Sequence, residues 1–168
     1  MIPLDMMGTS LIPLNRLRDV NIEIYENQKT KYTGREFLMD EIVPKLNCKW
    51  NDVLHFTAVE PRIVKESLFA SGAKKLPNAS FYKIPLTLFN LERTVLYKYT
   101  RNDGKFMEDE YEHLNKDNFP VSDSMSGDTL EYYRSCYEQG KKPLLFHRVP
   151  HILTMDDIDI SRCEILDW

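Results

Sequence analysis

The run Asp52-Val-Leu-His-Phe-Thr-Ala58, carried on through Glu60-Pro61 and closed at Gly72, constrains this chain more than any other stretch. Its first part is short, apolar and bounded by polar residues, the pattern of a buried strand. Proline is preset for the first position of a helix, so Glu60-Pro61 opens one. Ile63, Val64, Leu68 and Phe69 give that helix an apolar face, and Gly72 supplies a residue that ends it in the left-handed conformation. A strand leading directly into an amphipathic helix calls for a sheet with helix laid against it.

The flanking sequence adds further elements. Residues 1–20 read as an extended segment, and Asn21-Ile-Glu-Ile-Tyr25 alternates polar and apolar as a short strand does. Thr33-Gly-Arg-Glu36 has the form of a capping box, with Leu38, Ile42 and Leu46 at helical spacing. A helix is expected there from about residue 34 to 43 or 46, its last turn disturbed by Pro44. Residues 80–84 and 93–99, rich in aromatic and branched side chains, read as strands. Asn102-Asp-Gly104 turns the chain after the second. Residues 105–127 read as an acidic surface excursion, with a turn or two of helix near 108–114. Asp128-Thr-Leu-Glu131 starts another helix, with Leu130, Tyr133 and Tyr137 on one face and Gly140 at its end. Residues 144–149 form the next strand, which Pro150 ends, leaving His151 in the turn; residues 158–160 and 163–166 supply the last strand or two. Strands and helices do not alternate strictly. The expected fold is therefore α+β, a single domain over residues 1–168 with a mixed or mainly antiparallel sheet and about three helices.

Composition excludes several classes. The net charge is -4 with a pI near 5.6, which argues against a dedicated nucleic-acid binder. No apolar run approaches the ~20 residues of a membrane span, and the N-terminal residues lack the pattern of a secretory signal, so a cytoplasmic location without membrane partners is expected. Cys48, Cys136 and Cys163 are scattered and form no CxxC pair, as reduced core thiols would be.

Chemistry-bearing patterns are few. With six glycines the chain carries no phosphate loop or dinucleotide fingerprint, and no nucleophile elbow. His147 and His151 have metal-ligand spacing for a helix, but the residue before Pro150 favours extended geometry. On a strand, positions four apart stand roughly 13 Å apart, so no metal is expected. Neither spacing nor composition implies a cofactor.

His55-Phe-Thr57 on a strand, then the helix ending at Gly72, resembles the opening of ADP-ribosyltransferase-like domains. Residues 145–150, with Ile158-Asp-Ile160 and Glu164-Ile-Leu166 after them, resemble the last strands of those domains. The resemblance implies a site for a nucleotide of the NAD or ADP-ribose kind. His55 would anchor it beside Thr57, Tyr82 would pack on it, and His147 or Arg148 would face phosphates or serve as acid–base, with His55 and His147 the catalytic candidates. Where those families carry a catalytic glutamate this chain has Phe146 and His147, so the resemblance leaves transferase activity open. As a whole, the phrases YTGREFL, WNDVLHFTA, FYKIP and PLLFHRVPHIL are similar to a family of short proteins of bacilli with no known function. The alternative expectation is a non-catalytic module that binds a protein partner or small ligand through its aromatic side chains.

Overall fold

The computed structural model describes residues 1–3, 6, 8–101 and 106–168. Its strands are β1 (Ser10–Leu11), β2 (Ile42–Val43), β3 (Cys48–Lys49), β4 (Leu54–Phe56), β5 (Ser80–Lys83), β6 (Thr94–Tyr97), β7 (Tyr111–His113), β8 (His151–Thr154), β9 (Ile158–Asp159) and β10 (Glu164–Asp167). Its helices are α1 (Leu14–Val20), α2 (Ile22–Lys29), α3 (Pro61–Ala70) and α4 (Gly127–Glu138). The fold is α+β, with every strand pair antiparallel among the described residues.

The central sheet runs β4-β8-β6-β7. All four residues of β6 are buried, because both faces of the sheet are covered. Val95, Tyr97 and Leu153 face one core with Val43, Cys48, Val53 and Tyr111. Leu96 and Ile152 face the opposite one, with Leu114. The alternation of side chains along a strand makes this division automatic. At the adjoining ends of β6 and β8, Thr94 and Thr154 stand opposite each other and share a buried hydroxyl bond of 3.0 Å. A third core joins α3 to α4 through Val64, Leu68 and Tyr133. β5 pairs with β10, and β1 with β9, as smaller ribbons.

The strand–helix pair at 52–72 forms as its sequence dictates. Pro61 opens α3, and Ala73 N–H donates to Leu68 O (3.0 Å) while Gly72 N–H donates to Phe69 O (3.1 Å). Those two bonds, with Gly72 at φ 117, close the helix as glycine closures do. β4, however, is an edge strand and His55 on it is exposed.

Other expectations are corrected. Residues 1–20 contain β1 and α1. Asn21 starts a helix, since its side chain accepts from Ile24 N–H at 3.0 Å; the capping bond outweighs the short alternation. The box at 33–36 does not cap a long helix. Thr33 Oγ1 donates to Thr30 O (2.8 Å), Glu36 accepts from Gly34 N–H (2.9 Å), and only a short 3-10 turn over Glu36–Asp40 precedes the β2–β3 hairpin. The hairpin turns through Lys45 and Asn47 at positive φ, directly after Pro44. α4 is capped by Ser126, two residues before the expected start. Within 105–127 lies β7, and Glu110, Tyr111 and Leu114 are buried, so this stretch completes the central sheet. Asn102-Asp-Gly104 lies outside the described residues.

The largest correction concerns residues 144–149. They make successive turns, His147 N–H to Leu144 O and Val149 N–H to Phe146 O (3.3 Å each), and the strand begins after Pro150. α4 explains why. Its Tyr133 hydroxyl donates to Leu145 O, its Thr129 hydroxyl donates to His147 O (3.2 Å), and its Tyr132 hydroxyl accepts from Leu144 N–H (3.1 Å). Side chains satisfy this backbone where a ladder otherwise would.

Candidate functional site

Strand register assembles the site. His55 lies opposite Leu153, and Tyr97 lies opposite both His151 and Tyr111. Residues two apart on β8 share a face, so His55, His151, Tyr97 and Tyr111 all project from the same side of the sheet. Tyr97 stacks on Tyr111 (4.7 Å between ring centres) and on Tyr99 (5.2 Å). Trp50, from the 3-10 turn after β3, packs edge-on to Tyr97 (6.1 Å) and Phe106 (5.0 Å) and tilts against His55 (4.4 Å). From the turns at 144–149, His147 packs between Tyr99 (5.8 Å) and Tyr132 (3.9 Å).

These groups leave a cleft of about 410 Å³ at the end of the sheet. Trp50, Tyr97, Tyr99, Phe106, Tyr32, His147 and His151 form its walls, and Lys31, Arg35 and Arg101 stand on its lining. No carboxylate is among the described lining residues, although the chain as a whole is acidic. Arg101 is bound to Asp109 at 2.6 Å, outside the lining. Arg35 donates to Lys31 O at 2.9 Å, and among the described residues neither Arg35 nor Lys31 pairs with a carboxylate. The cleft is thus aromatic and electropositive. Tyr99, on its lining, has φ of 53°, a left-handed geometry that non-glycine residues seldom adopt and that concentrates at functional positions. Buried Glu110 holds the Tyr99 end by accepting from Thr100 N–H at 2.7 Å.

The histidines are held neutral. Burial, then the charge of Arg148, lowers the pKa of His147. Burial lowers that of His151 against the opposing pull of Val149 O. The protein packed around His55, then His151, pushes that ring down too, while Trp50 O opposes; one edge of the ring meets solvent, which limits the displacement. His151 Nδ1 lies 2.6 Å from Val149 O and His55 Nε2 lies 3.1 Å from Trp50 O. A nitrogen facing a carbonyl carries the proton, which leaves His151 Nε2 and His55 Nδ1 as acceptors.

The residues singled out from sequence are distributed unevenly. His147 lines the cleft, and His55 reaches its back wall through Trp50 and His151 (6.4 Å between the imidazoles). Arg148 turns the other way. It pairs with Asp128 (2.8 Å), donates to Thr100 O (2.6 Å) and lines a different cavity, since its left-handed backbone aims it opposite to His147. The Thr57 hydroxyl accepts from Val59 N–H at 3.4 Å, locally, at the start of the loop before α3. Tyr82 lies on the β5–β10 ribbon with its hydroxyl on Met6 Sδ (3.5 Å), away from the cleft. Among the described residues no three of the His, Cys, Asp and Glu side chains gather as metal ligands would.

Sequence reasoning missed Trp50, Tyr99, Phe106 and Arg35, and weighed His151 only as a metal ligand. The spacing Tyr97-x-Tyr99 in a recognised strand was the available signal, because it sets two rings on one face. Nothing local marks Trp50 or Arg35, which arrive from separate turns. Comparison with known proteins found no matching family model, no matching curated protein and no matching solved structure. No helix among the described residues is long and apolar enough to cross a membrane.

Proposed function

We propose that the cleft binds a nucleotide-type small molecule, a planar heteroaromatic ring carrying phosphate, without acting on it. The supporting observation is the combination of rings and cations in one concavity. Trp50, Tyr99 and Phe106 offer flat apolar faces, and Lys31, Arg35 and Arg101 offer charge with no carboxylate among the described lining residues. Bases stack on aromatic side chains whatever their identity, worth about 1–3 kcal/mol per base. Guanidinium forks match phosphate oxygens in pairs. The neutral histidines take a different part from the one their resemblance implied. They are poor partners for phosphate and good hydrogen-bonding partners for the edge of a ring. The cleft volume, about 410 Å³, falls within the range of small-molecule sites. The described lining residues include no carboxylate that could stabilise a developing cation, and the reading is binding.

Titration of tryptophan fluorescence with adenosine, AMP, ADP-ribose and NAD tests this. Saturable quenching is expected from the phosphorylated ligands, and weaker binding from adenosine. Arg35→Glu should weaken AMP by about tenfold or more, because it replaces a guanidinium–phosphate attraction with a repulsion, and should leave adenosine nearly unchanged. Absence of saturable binding by all four would end the proposal. So would equal AMP affinity in wild type and Arg35→Glu.

A further inference from the structure

A second cavity, of about 320 Å³, lies between α1–α2 and the start of the central sheet. Its lining is mostly apolar, with Leu11, Leu14, Leu17 and Ile24 on one side and Val53 and Leu54 on the other. The exception is Asn51. This residue is 1% exposed, and among the described residues neither its Oδ1 nor its Nδ2 has a hydrogen-bond partner. The neighbouring polar groups are already engaged. Asn15 Nδ2 donates to Asp52 Oδ1 (2.7 Å), and Asp52 Oδ2 accepts from Lys49 N–H (2.8 Å). An amide removed from water with both its donor and its acceptor idle is costly, and native proteins keep few such groups.

The cover over this cavity is lightly seated. α1 buries no residue, and α2 buries only Tyr25. Leu14 and Leu17 stay half-exposed because they face the cavity instead of packed atoms. The amide atoms of Asn51 are themselves almost wholly covered, so a ligand reaches them only when the α1–α2 hairpin moves aside, against the Asn15–Asp52 bond and the Arg16–Asp157 ion pair.

We infer that this cavity is a binding site for a small apolar molecule ending in a carboxamide, whose N–H and C=O pair with those of Asn51. The chemistry follows from the lining. An amide wants a neighbouring acceptor and donor at once, which another carboxamide supplies in a cyclic pair. The apolar walls fit an alkyl or aryl body. A carboxylate suits the site less well, because the one cation among the described lining residues, Lys31, is exposed. This site is independent of the nucleotide proposal, since a ligand with neither ring nor phosphate satisfies it.

Ligand-observed NMR with octanamide and its acceptor-only counterpart 2-nonanone supplies the test. Wild type should bind octanamide saturably and about tenfold tighter than the ketone, the worth of one added hydrogen bond to a dry amide. Asn51→Leu should bring the two to parity. Leu17→Trp, which fills the cavity from a helix that buries nothing, should weaken octanamide by about tenfold or more. The assignment is overturned if octanamide does not saturate, if wild type shows no preference over the ketone (the result expected were water the only partner of Asn51), or if the preference survives in Asn51→Leu. Should Asn51→Leu fail to fold, Leu17→Trp decides: unchanged octanamide binding places any site elsewhere.

Discussion

At the residue scale the histidines set the pH response. His147 and His151 have pKa values lowered in the fold, chiefly by burial, and His55, though exposed on its edge strand, is lowered by the protein packed around it and by His151. The unfolded chain therefore binds more protons than the folded one just below pH 6.5, and stability rises with pH through that window. The contribution is complete above 6.5 and is lost as pH falls towards the folded values. Carboxylates with lowered values, such as Glu112 and Asp159, act further down, below their ordinary 4.5 and 3.8. Melting followed by circular dichroism should show Tm falling between pH 7 and pH 5. His147→Gln, which removes one of the three groups, should flatten that slope; an unchanged slope would mean that His147 keeps its ordinary pKa in the fold.

At the element scale the end of α3 depends on one backbone geometry. Gly72 sits at φ 117, and a Cβ built there would lie 3.5 Å from Tyr137 Cβ. Space is adequate, so the cost of Gly72→Ala comes from the dihedral. An L side chain strained in this region costs about 1–3 kcal/mol. Denaturant unfolding of Gly72→Ala should show a loss of that size, with α3 still formed. The helix and its glycine stop were legible in sequence because both signals, Pro61 and Gly72, act within a few residues. The strand expected at 144–149 was not, because Thr129, Tyr132 and Tyr133 claim its backbone from another element. Periodicity carries no trace of that competition.

At the scale of the whole molecule, stability is unequal. β6 is wholly buried and Leu153 on β8 is fully so, whereas α1 buries nothing. Segments with little buried apolar surface open first. Hydrogen exchange should show α1 and the start of α2 exchanging through local opening, while amides of β6 and β8 exchange only with global unfolding. Equal protection across both regions would contradict this ranking and would remove the loosely seated cover over the Asn51 cavity.

What the sequence determined by itself was local: the α+β class, the strand–helix unit over residues 52–72, the strands at 80–83 and 94–97, and the glycine stops at 72 and 140. Each rests on side-chain alternation, a cap or a preset dihedral, which are properties of neighbouring residues. Tertiary structure decided the rest. It turned the acidic stretch near 111 into a strand, because Tyr111 found Tyr97 across the sheet. It started β8 after Pro150, sent His147 and Arg148 to different cavities, and brought Trp50, Tyr99, Phe106 and Arg35 together from four separate turns and strand ends. A cleft is a relation among distant residues, set by register and burial, and no window of sequence contains it.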